Sequence, residues 1–316
     1  MTSRPRACHR GFTLVELLVV ITIIGILAGL ALVGVRAAVT TAQSTAMKVE
    51  VNNIATALDL YKQNNGAYPP DGNTVALTAA ERETAFNRHL AKLFPQRSLK
   101  YDNPSSTNAT DKANAVARIK QAGTDHNIVN TATTSSDPYQ IDELDPTEAY
   151  VLFLMGFSPD VEQPLTGSGE RTPLFEFDQA RLVDDDDDGW WSYHPDFTET
   201  LYVYFNNKTY DDGATTPLVA EMDFTGSRQG EGKARPYATL KPNGTAAWAE
   251  DDKFQLICAG LDGHFGSYVD ADEMKMYPSG IADTSAAPTS VDYSLEDFDN
   301  IVNFGEAATL ESDTDL

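Results

Sequence analysis

Residues 11–31 read GFTLVELLVVITIIGILAGLA. From Leu17 to Val35 the run LLVVITIIGILAGLALVGV carries no charge over nineteen residues. At about 1.5 Å per residue, such a helix spans roughly 28 Å, close to the hydrocarbon thickness of a bilayer. Arg4, Arg6 and Arg10 precede it, and few positive charges follow soon after. The positive-inside tendency therefore places the N-terminus in the cytoplasm.

Three readings compete for this segment. A secretory signal has a shorter apolar region followed by a small-residue cleavage site. Here the apolar run is long and flows into an amphipathic pattern. A plain single-pass anchor explains the length, but neither reading needs Glu16 at the edge of the run. A carboxylate there is costly in lipid unless it is paired. The third reading uses every residue. Gly11, then Phe12, then Glu16 four residues on, ahead of the uncharged run, resembles the type IV prepilin signature of pilins and type II secretion pseudopilins. The resemblance implies cleavage between Gly11 and Phe12 by a prepilin peptidase. It also implies N-methylation of Phe12 and pairing of Glu16 with the N-terminal amine of a neighbouring subunit. A buried carboxylate and a buried ammonium each need the other. Many family members have a proline near Val33 that bends the helix. This chain has none, so Gly29 and Gly34 are the expected soft points.

Beyond Arg36 the pattern becomes one-sided. Met47, Val51, Ile54, Leu58 and Tyr61 are spaced 4, 3, 4, 3, one stripe of a helix, with Lys48, Asn52, Asp59 and Lys62 opposite. Asn64-Asn65-Gly66 supplies a C-cap and Pro69-Pro70 blocks continuation. The phrase YKQNNGAYPPDG (61–72) is similar to the stretch that ends the long helix in major pseudopilins. Thr78 with Glu81 reads as a capping box for a helix over 79–93. Residues 102–138, rich in Ser, Thr, Asn and Asp, read as a surface excursion with a short helix near 111–121. Asp145-Pro146 and Glu148 open another helix that ends at Gly156. Strands are expected at 173–178, 200–206, 217–222 and 253–260, from aromatic and β-branched content between Asp/Gly clusters.

The expected architecture is α+β: a long N-terminal transmembrane and assembly helix packed on a small antiparallel sheet, as in pilins. The expected parts are a leader (1–11), the long helix (12–64, of which 12–35 spans the membrane) and a globular head (65–316) with an inserted segment at 71–145.

The 316 residues include 47 acidic and 23 basic ones, a net charge of -24. Phosphate would be repelled, so no nucleic acid is expected as a partner. Of two cysteines, Cys8 lies in the leader, leaving Cys258 without an internal disulfide partner. Among the histidines no pair has metal-ligand spacing. Neither a nucleophile elbow nor a phosphate loop is present, and the chain reads as non-catalytic.

Calcium is the expected cofactor, at one of two places. The resemblance implies the first. CAGLDGHFG (258–266) and DNIVNF (299–304) are similar to the turn and C-terminal stretch that enclose calcium in major pseudopilins. By position, Asp262 and Asp299 match the side-chain ligands and the Ala259 carbonyl a backbone ligand. The intervening loop is longer here, and Asp270, Asp272 and Glu273 compete within it. The second place comes from the residues themselves. Asp184, Asp186 and Asp188, followed by Gly189, fit the opening of a calcium loop, although Pro195 stands where the closing glutamate belongs. In both places the plain alternative is a solvated Asp-Gly turn.

The resemblance implies a pseudopilus subunit supporting type II secretion. Its expected partners are prepilin peptidase, other pilin or pseudopilin subunits, an assembly platform and the inner membrane, crossed once with the head in the periplasm. The alternatives are a type IV pilin displayed outside, or an envelope-anchored binding protein that uses the prepilin route.

Overall fold

The computed structural model describes residues 12–73, 77–214, 218–224, 228, 230–241, 246–268, 270–278 and 290–314. The leader, Gly11 included, lies outside the described residues. The chain divides into two compact units, Met1–Gln43 and Ser44–Leu316, and the division falls inside the first helix.

That helix, α1, runs from Leu14 to Asn65 without interruption, straight through Gly29 and Gly34. It ends where Gly66 adopts a positive φ of 76° and its N–H donates to the Lys62 carbonyl at 2.7 Å. In the first unit its apolar side chains are exposed all round, Leu17, Ile21, Ile24 and Leu27 among them. In the second unit the expected stripe of Met47, Val51, Ile54, Leu58 and Tyr61 is fully buried. Lys48, expected to face solvent, is buried as well. Its Nζ donates to the carbonyls of Val302 (2.6 Å) and Gly305 (2.7 Å), so its aliphatic stem lies under the C-terminal segment.

The stripe packs on a three-stranded antiparallel sheet. Its central strand is β8 (Phe254–Cys258), flanked by β3 (Val203–Asn206) and β11 (Ile301–Val302). Successive side chains point to opposite faces. Tyr204, Phe254, Leu256, Cys258 and Ile301 join the α1 stripe in one core. Val203, Phe205, Ile257 and Val302 enter a second core with Tyr210, Tyr237, Phe265 and Leu310. Burial on both faces explains why these strands read as continuous apolar runs. Four short strands build a mixed sheet: β6 (Ala238–Leu240), β7 (Ala246–Trp248), β9 (Met274–Tyr277) and β10 (Ser290–Val291). Two further pairs are β1–β2 (Leu182–Val183, Ser192–Tyr193) and β4–β5 (Met222–Asp223, Lys233–Ala234).

The helices of the middle region form where expected, with one extension. α2 (Ala79–Leu93) carries the reciprocal Thr78–Glu81 capping box. α3 (Ala109–His126) is longer than the expected 111–121, because Asn108 caps its start and Asn127, in the left-handed region, ends it. The stretch 102–138 is not merely a surface excursion. Ile119, Ala122, Ile128 and Val129 enter the main core, and buried Asp102 pairs with Arg97 at 2.6 Å. α4 (Ala149–Leu154) is buried throughout. The strand expected at 173–178 does not form. Phe175 and Phe177 instead pack edge-on, with Phe177 against Tyr193 at 4.9 Å between ring centroids. The Leu174 N–H donates to the Leu154 carbonyl rather than to a ladder. Of the strand expected at 217–222, what forms is a bridge between Asp211 and Val219 and the start of β4.

Candidate functional site

The first candidate site is the N-terminal segment. Phe12 is exposed and precedes α1. Glu16 folds back on the helix start. Its Oε2 accepts from the Thr13 N–H (2.8 Å) and the Thr13 hydroxyl (2.9 Å), while the Glu16 N–H donates to Thr13 Oγ1 (3.2 Å). This is a capping box on Thr-x-x-Glu, which satisfies two donors that a helix start leaves open. In the sequence Glu16 stands out only as a charge in need of a cation. Within one chain, the carboxylate also has a local task. Between Leu17 and Leu32 the described large apolar side chains are all exposed, a contiguous apolar surface of a kind soluble monomers rarely show. Among the described residues, α1 is the one helix long and apolar enough to cross a membrane.

The acidic turn at the C-terminal end of β8 brings Asp262 and Asp299 together. Asp299 Oδ2 accepts from the Asp262 N–H at 2.7 Å, and Asp262 Oδ1 accepts from the His264 N–H at 2.8 Å. Gly260, with φ of 69°, lies so close to Asp299 that a Cβ would fall 2.2 Å from its carbonyl oxygen. Each carboxylate thus already braces the backbone of the turn. Among the described residues, no third carboxylate, His or Cys joins them at metal-ligand range.

The five-aspartate segment sorts its side chains differently. Asp184 Oδ2 accepts from Asn130 Nδ2 at 2.7 Å. Asp185 pairs with Arg228 at 3.1 Å. Asp187, with φ of 64°, accepts from Thr133 Oγ1 (2.9 Å) and from the Thr134 N–H (2.8 Å). Asp186 and Asp188 turn the other way and meet Glu148, the residue that opens α4. One carboxylate oxygen from each of the three lies within 4.8 Å of the others. Glu148 is 1% exposed and Asp188 6%. Burial, and then the negative charges of Asp145, Asp188 and Asp186, hold the Glu148 carboxyl well above the usual carboxylate range. Burial and Asp186 push Asp188 up to about 9.

The family model described as "Prokaryotic N-terminal methylation motif" matches residues 6–32. A type II secretion system core protein G from Pseudomonas aeruginosa is 48% identical over 64 residues, which is 20% of this chain and 45% of that protein. The N-terminal segment carries a prepilin-type methylation motif. The match spans less than half of the relative's length. No solved structure matches.

The candidate residues fall into two groups. Glu16 lies inside the matched motif segment. Of the proposed cation ligands, Asp262 and Asp299 meet, and Asp186 and Asp188 meet. Asp184 stands aside with Asn130, and Glu148 takes its place. In the sequence Glu148 looked like a helix opener, and nothing local marks it as a partner of a loop so far along the chain.

Proposed function

We propose that the chain is a non-catalytic structural subunit of an envelope pseudopilus that supports type II protein secretion. In this reading prepilin peptidase cuts between Gly11 and Phe12 on the cytoplasmic face. The exposed part of α1 holds the subunit in the inner membrane, with the head in the periplasm, until it joins other pseudopilin subunits on an assembly platform. The observation that carries the reading is the exposed apolar first part of α1, most of which lies within the matched methylation motif. An all-round apolar helix needs lipid or other such helices around it. The 64-residue similarity to a type II secretion protein favours the pseudopilus over an external pilus.

Glu16 gives the test. In the mature chain the Phe12 amine of a neighbouring subunit is the proposed cation for its carboxylate. Glu16→Gln keeps the capping box, because glutamine serves at that position, but removes the charge. Glu16→Ala removes both. Filament yield on overproduction, and secretion in cells carrying each variant, should fall to background for both while membrane insertion persists. Normal assembly by Glu16→Gln would show that the cap alone matters and would reject the pairing. Normal assembly by Glu16→Ala would reject any assembly role for the residue.

A further inference from the structure

Elsewhere in the head, several buried acids come with cations, and buried Asp71 is held by the Thr209 hydroxyl and the Asn206 N–H. Asp297 pairs with Lys275 where both side chains are fully buried. Asp102 pairs with Arg97, and Glu50 with Arg181. Buried Glu148 and Asp188, with the exposed Asp186 beside them, differ from both arrangements. Among the described residues none of the three makes an ion pair, and their neighbour Asp145 adds a fourth carboxyl. Asp145 is satisfied, since the Thr147 N–H and hydroxyl both donate to it at 2.7 Å. Asp188 is satisfied on one side only. Its Oδ1 accepts from the Trp190 N–H at 2.8 Å, and its Oδ2 is buried with no hydrogen-bond partner. An orphaned buried carboxylate oxygen beside two more carboxylates is strongly unfavourable unless a proton or a cation neutralises it, and three converging carboxylates offer a cation more ligands than a proton needs.

We propose that Glu148, Asp186 and Asp188 bind one divalent cation, and that this cation is calcium. Three oxygens within 4.8 Å of one another suit a shared ion whose ligands lie 2.3–2.6 Å from it. With no imidazole or thiolate in the group, the donors are all hard oxygen, which disfavours zinc and copper. Magnesium keeps several waters and seldom uses an all-protein cage, whereas calcium accepts several carboxylates and an irregular shell. The local backbone holds the ligands in place. Asp187 and Gly189 have positive φ, and the carbonyls of Asp188 and Gly189 accept from the N–H groups of Tyr139 and Asn130, both at 2.8 Å. The ion would fasten the start of α4 to the 184–189 loop, a staple for a head whose described cysteine is unpaired.

The test uses the full chain in non-ionic detergent, stripped with a chelator and titrated with calcium chloride by calorimetry and by thermal melting. Wild type should bind calcium saturably and melt at a higher temperature with it. Asp188→Asn and Glu148→Gln should each weaken binding at least tenfold and lose the melting shift. In chelator both variants should melt at or above wild type. The amides keep the acceptors for the Trp190 and Asp145 N–H groups while removing charge repulsion. That crossing is not expected of residues that serve only as braces. If Asp188→Asn fails to fold, Glu148→Gln carries the decision. Asp262→Asn should leave this binding unchanged. No calcium binding by wild type, binding that survives both substitutions, or binding lost with Asp262→Asn alone would overturn the proposal. Equal affinity for magnesium would overturn the choice of ion.

Discussion

The two halves of α1 share one backbone conformation and differ in what surrounds them. Between Leu17 and Val35 the helix carries no charge, and its described apolar side chains are exposed on every side. Between Ser44 and Asn65 most large apolar residues form one stripe sealed against the sheet and α4, and only Val49 and Leu60 of the large ones are exposed. Helix formation therefore says nothing about environment. The arrangement of apolar residues around the axis does. A one-sided helix fits a protein core with its polar side in water. An all-round apolar one has no side to show water and belongs in lipid or among its own kind.

The largest consequence is partitioning. The full chain should fractionate with membranes, and a chain that begins at Ser44 should be recovered soluble and folded. A soluble full chain would break the contrast between the halves. The next effect is on head stability. Ile54→Ala empties a fully buried site and should lower the unfolding free energy by about 2–5 kcal/mol. The matching change in the first half, Ile26→Ala, should stay within about 0.5 kcal/mol when head unfolding is followed by tryptophan fluorescence. Equal losses at both sites would mean that the first half also packs as core.

A smaller effect sharpens how the second half is held. Glu50 on α1 accepts from Arg181 Nη1 (2.9 Å) and Nη2 (2.5 Å), and from the hydroxyls of Tyr193 (3.1 Å) and Tyr202 (2.7 Å). Burial would raise its carboxyl, but the Arg181 and Tyr202 hydrogen bonds outweigh it and hold the group below the ordinary glutamate value. Stability from this site is therefore present above that ordinary value and is lost as pH falls through the folded one. Glu50→Gln should cost about 1.5–3 kcal/mol near neutral pH. It should also remove part of the acid-side decline in melting temperature. An unchanged acid limb would mean that the site does not couple α1 to Arg181.

Local signals made much of this fold legible. The 4-3-4-3 stripe, the Thr78–Glu81 box, the Gly66 stop and the two doubly buried strands all lie in contiguous sequence, and all appear as expected. What the sequence hid is long-range. The stem of Lys48 reads as solvent-facing until Val302 and Gly305 close over it. Phe175 and Phe177 alternate like a strand, yet the neighbouring aromatic rings claim them. Two-residue strands such as β1 and β2 are too short to carry any period. The acidic loop was visible as a charge run, but which aspartates turn inward depends on Asn130, Arg228 and Thr134, and the third carboxylate comes from α4.

The assignment of the first half of α1 to assembly implies that the chain is cut between Gly11 and Phe12, just ahead of it. Mass spectrometry of the protein recovered from the cell envelope tests this most directly. The expected result is an N-terminal peptide that begins at Phe12 and carries an added methyl group on its amine. An intact terminus ahead of Gly11, or a new terminus beyond Val35 with the apolar run removed, would contradict the assignment of this helix to assembly.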